Sequence, residues 1–361
     1  MPSPLKQKKL TSSVSKNNTY TIKQKNDIPA GSCFSQGLLK CMTTMKKTFF
    51  SLTLCLLASL CAEAQQLQLK YADFDQWITR DVKESKIIGG ATKTLYEVGP
   101  AGTWAGAVPY VNQGGSPWAN SNVMAKVAGV VKTNTSVYRE RRGSGYCARM
   151  VTHVEGVKVL GLVNIHVLAA GSIYVGAMIE PITSSSNPMG KLDYGIPFTA
   201  RPKALQFDYK VKLSGKSDRI RRTGFSPVKN IPGMDMPAVI CLLQKRWEDS
   251  EGNIYAKRIG TAIHYFTKDS DWVNGAKFTI HYGDITGESY YKSYMNLFQG
   301  GDDQKYALNS KGKIVPVREI EWADANDTPT HLCLQFASSH GGAYIGAEGT
   351  TFWIDNVKFV Y

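Results

Sequence analysis

The sequence predicts an all-β protein, a jelly roll or β-sandwich of antiparallel strands with long loops and at most one or two short helices. Residues 204–213 alternate apolar and polar side chains with a period of two, as a strand with one buried face does. Similar short runs recur with Gly, Pro, Asn or Ser between them. No long segment carries the 3.6-residue period of an amphipathic helix. Many short strands separated by turn residues are typical of sandwiches and jelly rolls.

Seven other segments have strand character. Residues 158–175 are expected to form two strands, and one strand each is expected at 145–154, 238–243, 258–266, 277–282, 332–336 and 350–361. Residues 89–122 and 288–329 lack strand character, although 290–298 could form a short helix. Long loops in a compact domain usually bind something. We therefore expect these two loops to include functional residues.

The segment 350–361 is expected to close the fold. Its apolar side chains change phase across Asp355 and Asn356, which predicts a bulge or a bend there. A strand at the end of a chain frays unless it is paired. We therefore expect this strand to lie between earlier strands.

The segment 45–64 has the order of a signal peptide. Basic residues follow Met45, the apolar run 48–60 is too short to span a bilayer, and small residues lie at Ala62 and Ala64. Cleavage would release a protein that starts at Gln65 and has no membrane span. We therefore expect a secreted or periplasmic product, with association at the cell surface left open.

Two features of the N-terminal region allow alternatives. Residues 1–44 are polar and Lys-rich, and are either upstream of the true start at Met45 or a disordered extension. Cys61 could carry a lipid, but Leu60 is bulky where a small residue is preferred. We expect residues 65–361 to form a single domain.

Composition narrows the function classes. The net charge of +14 at pH 7 overstates the basic character of the exported chain, because residues 65–361 carry 34 basic and 27 acidic side chains. Scattered solubilising charge is favoured over nucleic-acid binding, with an anionic polysaccharide as an intermediate possibility. Cys147, Cys241 and Cys333 lie in strand-like runs without disulfide spacing, which predicts three core thiols.

Several motifs occur along the chain. One is Gly-Ile-Pro-Phe-Thr-x-Arg-Pro-Lys-Ala-Leu-x-Phe-x-Tyr-Lys at 195–210, after Ala-Ala-Gly-x-Ile-x-Val-Gly at 169–176. Others are Ser-Ser-x-Gly-Gly at 338–342, Tyr-x-Gly-Ala at 344–347 and Trp-Ile-Asp-Asn-Val-x-Phe at 353–359. Together they resemble the PCMD family, the "putative carbohydrate metabolism domain" of secreted proteins from polysaccharide-degrading bacteria. The resemblance implies a jelly roll and a role with carbohydrates, but no particular ligand or chemistry.

Aromatic residues in 89–122 suggest a sugar site. Flat rings bury the apolar C–H faces of sugars, while nearby amides and carboxylates bond the hydroxyls. Trp104, Tyr110 and Trp118 are the candidates. The other interpretation is that these rings pin the loop to the core, and both interpretations stay open.

Polar residues offer further candidates for binding and catalysis. Arg201 could clamp a ligand or cap a strand edge, and His340 lies in a Ser/Gly loop as a ligand contact or part of a polar cluster. Glycoside hydrolysis needs two carboxylates across a cleft. Glu180 and Asp208 are the pair we would expect if the protein is a hydrolase.

No cofactor is expected from the sequence, apart from a candidate structural calcium ion. Its oxygen ligands would come from Asp355, or from Asp73 and Asp75.

The basic cluster 245–247 contains a tryptophan that could stack a base, although a solvated turn is the default interpretation.

The sequence thus predicts a secreted glycan-binding protein that takes part in polysaccharide capture or processing. Its expected partner is an oligo- or polysaccharide, not a nucleic acid. A glycoside hydrolase is the first alternative, and a non-catalytic protein-interaction domain at the cell surface is the second. The oligomeric state is left open.

Overall fold

A computed structural model describes residues 67–361, apart from 128, 160–162, 184–186 and 225. The predicted signal peptide, the extension before it and Cys61 lie outside the described residues. Within this part of the chain, no helix is long and apolar enough to cross a membrane.

Short strands dominate the described chain. The first twelve are β1 (Trp77–Lys83), β2 (Thr92–Val98), β3 (Gly102–Trp104), β4 (Trp118–Asn120), β5 (Val123–Val127), β6 (Val130–Asn134), β7 (Val137–Arg142), β8 (Gly145–Val159), β9 (Val163–Ala170), β10 (Ser172–Met178), β11 (Leu192–Tyr194) and β12 (Ile196–Pro197). The next twelve are β13 (Ala204–Lys212), β14 (Arg219–Arg221), β15 (Lys229–Ile231), β16 (Ala238–Glu248), β17 (Ile254–Tyr265), β18 (Ser270–Thr279), β19 (His281–Tyr282), β20 (Tyr306–Leu308), β21 (Ile314–Trp322), β22 (His331–Ala337), β23 (Ile345–Gly346) and β24 (Thr351–Val360). Helical structure in the described residues is limited to 3₁₀ turns at Lys86–Ile88, Pro188–Lys191, Ser293–Met295 and Gly301–Asp303.

Two large sheets form the body of the protein. The first has the strand order β11-β10-β22-β16-β17-β21-β20, with β4, β12 and β19 paired beside it. The second has the order β18-β13-β24-β8-β7, with β9 paired to β8. Small sheets β2-β1-β3, β15-β14-β23 and β5-β6 complete the fold. The predicted all-β sandwich is confirmed, although β1–β3 and β17–β21 pair in parallel.

Apolar side chains from the two large sheets meet in one core. Phe336 of β22 lies edge-on to Phe207 of β13, with 4.9 Å between ring centroids. Cys241 of β16 is fully buried in the same cluster. Together with Cys147 and Cys333 it is unpaired and buried, as the sequence predicts.

Strand β24 lies between β13 and β8, which confirms the expected position of this segment. Its register against β13 shifts, because Gln206 faces Lys358 while Asp208 faces Asp355. Asn356 takes a φ of 52°, in the left-handed region that Asn tolerates better than most residues. The predicted bulge is therefore confirmed at this point.

Two expectations about loops were wrong. Strands β2, β3 and β4 lie within 89–122, and β20 and β21 lie within 288–329. Both β2 and β21 carry a buried glutamate on an inward face, Glu97 and Glu319, which disrupts the apolar alternation that marks a strand. The short helix expected at 290–298 is only the 3₁₀ turn Ser293–Met295.

Candidate functional site

A buried charged cluster joins the small β2-β1-β3 sheet to the large sheet. Ile78 lies opposite Glu97 across β1 and β2, and Arg80 lies opposite Leu95, so Arg80 and Glu97 share one face. Glu180 follows the end of β10 and reaches the same guanidinium. The side chain of Arg80 is fully buried and that of Glu180 is 1% exposed. Charged groups this deep need partners.

Glu180 is held by four donors. Arg80 donates from Nη1 at 2.5 Å and from Nη2 at 2.7 Å. The backbone N–H groups of Tyr110 and Met124 donate at 3.1 Å and 2.7 Å. A bidentate guanidinium and two amides occupy the lone pairs of this carboxylate. Its main role in this arrangement is to anchor the loop that carries Tyr110.

Glu97 has fewer partners and is more affected by burial. It accepts from Arg80 at 3.3 Å and from the Asn120 amide at 3.0 Å. Burial raises the pKa of Glu97 to about 8, while the nearby Arg80 acts in the opposite direction. Near neutral pH this carboxyl therefore holds its proton for much of the time.

An aromatic pair lies beside the charged cluster. The rings of Trp104 and Tyr110 meet edge-on with 5.6 Å between centroids, and the Arg80 guanidinium lies 5.7 Å from the Tyr110 centroid. Trp104 donates from its indole to the Val108 carbonyl at 3.2 Å. Val108 and Val111 are 46% and 64% exposed, while Tyr110 is 7% exposed. The pair thus connects a buried polar cluster to an exposed loop.

The space enclosed here is small. The cavity has a volume of about 10 Å³, which is room for one water molecule and not for a sugar ring. It is lined by Glu97, Tyr110, Asn112, Ala119, Asn120, Asn122, Met178 and Glu180. A saccharide could contact the outer surface of Trp104 and the exposed loop, but could not enter beneath them.

Trp118 does not belong to this surface, because its side chain is packed in the core. Its side chain is 1% exposed, and its ring packs 5.4 Å from the ring of Phe74. Its indole donates to the Lys70 carbonyl at 2.8 Å. For this residue the burial supports the interpretation in which the ring pins the loop to the core.

Arg201 lies elsewhere and serves a loop. Its guanidinium donates to the backbone carbonyls of Ala325 and Asp327 and lies 4.4 Å from the Tyr282 ring centroid. With its donors used in this way, Arg201 ties the segment between β21 and β22 to the sheet. It shares no contact with Trp104 or Tyr110 among the described interactions.

His340 belongs to a separate polar cluster. Its Nε2 lies 3.0 Å from Nη1 of Arg219, which can only donate, and its ring centroid is 4.9 Å from that of Tyr265. The neighbouring Ser339 hydroxyl donates to the buried Asp235 at 2.6 Å, while His340 is 3.6 Å from the same carboxylate. A hydrolytic triad needs serine bonded to histidine. This cluster therefore has the residue types of a triad but not its order.

Glu180 and Asp208 are not brought together. Asp208 is on β13 in the second large sheet, where it accepts from Arg142 at 2.8 Å and from the Gly275 N–H at 2.6 Å. No described residue contacts both carboxylates. The structure thus gives them separate partners, and not the shared cleft that hydrolysis by this pair would need.

The calcium candidates also have partners. Arg142 lies between Asp208 and Asp355, with its Nη1 at 2.5 Å from Asp355. Burial raises the pKa of Asp355 to about 6. Asp75 accepts from the Tyr146 N–H at 2.8 Å, and Asp73 accepts from the Asp75 N–H. Across the described ranges, no group of three or more His, Cys, Asp or Glu side chains could hold a metal. The calcium ion stays a prediction.

Sequence reasoning missed Arg80 and Glu97. One clue was available for Glu97, because it follows Leu95 by two residues and so takes the apolar phase of its strand. A charged residue in that phase is buried when the strand forms and needs an opposite charge. Nothing local identifies Arg80 or Glu180 as that charge.

Residues 95–250 match the family described as "Putative carbohydrate metabolism domain", PCMD. The match supports a carbohydrate-related role for this segment of the β-sandwich. The resemblance to PCMD seen in the sequence motifs is confirmed over this segment, which includes Glu97, Tyr110 and Glu180.

A chain described as a putative glycoside hydrolase from Bacteroides thetaiotaomicron is 18% identical, covers 78% of this chain and 71% of its own length, and has a TM-score of 0.41. No curated protein matches the chain.

Proposed function

We propose that the protein binds an oligo- or polysaccharide outside the cytoplasm, as part of glycan capture or processing, through Trp104 and the loop after it. The observation that carries this proposal is the Trp104–Tyr110 ring pair beside amides and carboxylates, in a segment that matches a carbohydrate-related family. An indole face can cover the C–H face of a sugar, and the adjoining loop offers backbone and amide groups for its hydroxyls.

Binding is favoured over hydrolysis by the state of the carboxylates. Glu180 is saturated by Arg80 and two amides, and Asp208 is held by Arg142. A carboxylate that acts as nucleophile or base needs a free lone pair directed at the sugar or at water. Glu180 offers none in this arrangement, and Asp208 is held by three donors in a different sheet from Glu180.

Glycoside hydrolysis is the second candidate, and one observation favours it. Glu97 has a pKa raised to about 8, as a general acid needs, and it touches the same guanidinium as Glu180. For catalysis the loop that carries Tyr110 would have to move, because Glu97 is 4% exposed.

A glycan array with a parallel reducing-sugar assay tests the proposal. We expect binding without release of product, and Trp104→Ala should weaken it by roughly 1–3 kcal/mol, as loss of an aromatic anchor does. Tyr290→Ala is the matched control, because Tyr290 is 37% exposed and stacks on His281 instead. This control should bind as the parent protein does.

Three other outcomes would contradict the proposal. Product release that Glu97→Gln abolishes would replace it with the hydrolase. Binding that Trp104→Ala leaves unchanged would remove the loop as the contact surface. No binding to any plant, host or bacterial glycan on the array would favour a protein-interaction domain.

A further inference from the structure

A second aromatic surface lies on the hairpin β16–β17 and the neighbouring strand β21. Trp247 pairs with Tyr255 across β16 and β17, and Tyr255 pairs with Arg318 across β17 and β21. We call these three residues the ring row. Adjacent strands are about 4.8 Å apart, so the row crosses roughly 10 Å of one sheet face.

The ring row is open to solvent. Trp247 is 39% exposed, and its ring lies 5.8 Å from that of Tyr255 at an interplanar angle of 22°. The guanidinium carbon of Arg318, another exposed side chain, is 6.0 Å from the Tyr255 centroid. Two nearly parallel rings therefore lie beside an exposed guanidinium.

The exposure follows from the length of the hairpin. Cys241 and Leu243 of β16 point into the core between the two large sheets. Side chains alternate along a strand, so Lys245 and Trp247 continue on the same face. Both are exposed. At its outer end the hairpin thus carries exposed side chains on the face that is buried nearer its centre.

Charge on this face is partly neutralised. Lys257 pairs with Glu321, and Lys245 pairs with Asp327 at 3.4 Å. Arg318 takes part in no ion pair among the residues that the structure describes. The ring row therefore ends in a cation whose forked donors are available, and such donors match a carboxylate or a sulfate.

We propose that the ring row binds an acidic saccharide, with a sugar ring on Trp247 and Tyr255 and the anionic group on Arg318. The inference rests on the proposed carbohydrate function for its ligand class, but it concerns a different surface from Trp104. Aromatic rings select the apolar face of a sugar, and the guanidinium selects the charge. The rings alone would not distinguish an acidic glycan from a neutral one, and the guanidinium alone would not distinguish an acidic glycan from another anion.

Isothermal titration of the purified protein with three polymers tests the inference. The polymers are polygalacturonate, which supplies carboxylates, dextran sulfate, which supplies sulfates, and neutral dextran. We expect at least one acidic polymer to bind and dextran not to bind at this surface. Both Trp247→Ala and Arg318→Gln should lower the affinity for the acidic polymer about tenfold or more. Neither should change the affinity for a neutral glycan that binds in the array.

Two matched controls remove side chains of the same kind. Arg139 is exposed, and its guanidinium carbon lies 5.3 Å from the Tyr146 ring centroid, so Arg139→Gln removes a guanidinium beside a tyrosine. Tyr290→Ala removes an exposed aromatic ring. Neither should change binding of acidic polymers. Melting curves for each variant show whether Trp247→Ala acts only through the lost cross-strand pair.

Several results would overturn the inference. If Arg318→Gln and Arg139→Gln reduce the affinity for acidic polymers equally, the binding is general charge attraction. The same conclusion follows if Arg318→Gln reduces this affinity and Trp247→Ala does not. Self-association that Trp247→Ala abolishes would assign the face to a second copy of the chain. If Trp104→Ala removes all glycan binding while Trp247→Ala removes none, the inference fails and the proposed function stands. If no glycan binds at all, both fail.

Discussion

Two glutamates beside one arginine are held in different ways. Glu180 receives two bonds from Arg80 and two from backbone amides, whereas Glu97 receives one from Arg80 and one from Asn120. Donors stabilise a carboxylate and burial destabilises it. Burial with few donors is therefore what raises the pKa of Glu97.

Glu97 should make stability depend on pH. Its folded pKa of about 8 lies above its ordinary value of 4.5, so between these pH values the folded chain binds more protons than the unfolded chain. Stability contributed by this group is present below about pH 4.5 and falls as pH rises through 8. Glu97→Gln cannot titrate, and we expect a flatter dependence of the unfolding free energy on pH, measured with denaturant.

The exposed Glu348 supplies the control for this prediction. Glu348→Gln should leave the pH profile between 5 and 8 close to that of the parent protein. A parent profile that rises with pH over this window, or a Glu97→Gln profile equal to the parent one, would contradict a raised pKa at Glu97.

Among the aromatic residues, sequence could not separate Trp104 from Trp118. Both lie in the same segment between small or polar neighbours. Their difference comes from distant partners, because Trp118 packs on Phe74 and bonds to Lys70 while Trp104 bonds within its own loop. Residues that are far apart in sequence decide which ring is buried.

At the level of strands, the sequence predicts the bulge in β24 because a phase change is a local pattern. It does not predict strands β2 and β21, because Glu97 and Glu319 occupy positions where an apolar residue is expected. Glu319 pairs with the buried Arg258 and accepts from the Phe298 N–H at 2.7 Å. A buried charge pair thus breaks the apolar alternation by which a strand is recognised. The same pair holds a neighbouring loop in place.

The bulge provides a test at the level of the element. Asn356 has a φ of 52°, and its side-chain amide donates to Asp208 at 2.9 Å. Asn356→Val places a β-branched residue in the left-handed region and removes that bond, and we expect a loss of about 1–3 kcal/mol of stability. Denaturant unfolding measures it.

Lys358→Val is the control for the bulge, because Lys358 is exposed and lies on the same strand in ordinary register with Gln206. We expect its effect to stay within about 0.5 kcal/mol. Equal losses in the two variants would mean that strand β24 is sensitive to any substitution, and would remove the special role of the left-handed residue.

For the molecule as a whole, the fold class was predictable and the arrangement of strands was not. Period-two alternation identifies strands one at a time. It does not say that β22 pairs with β16 and β10, or that β17 and β21 run in parallel. The site depends on this arrangement, since Arg80, Glu97 and Glu180 come from three separate segments.

Export of the protein is a prediction that concerns the whole chain. The basic, apolar and small-residue order of 45–64 predicts cleavage by a signal peptidase. Mass spectrometry of protein recovered outside the cytoplasm should find an N-terminus at or near Gln65. Ala64→Leu, which blocks a position that needs a small residue, should leave the precursor uncleaved. Lipid on Cys61 or an intact Met1 would contradict the prediction.

The central position of β24 has a consequence for how the protein reaches its folded state. This strand must pair with β8, in which Met150 lies opposite Phe352, so the middle of the second sheet joins segments about 200 residues apart in sequence. The side chain of Gln68 also bonds to the backbone of Phe359. To form such contacts the chain must first lose the entropy of a large loop. Proteins rich in contacts between distant segments therefore fold slowly. A chain of this kind spends longer unfolded, and during that time unpaired edges of β8 and β13 would be open to association with other chains.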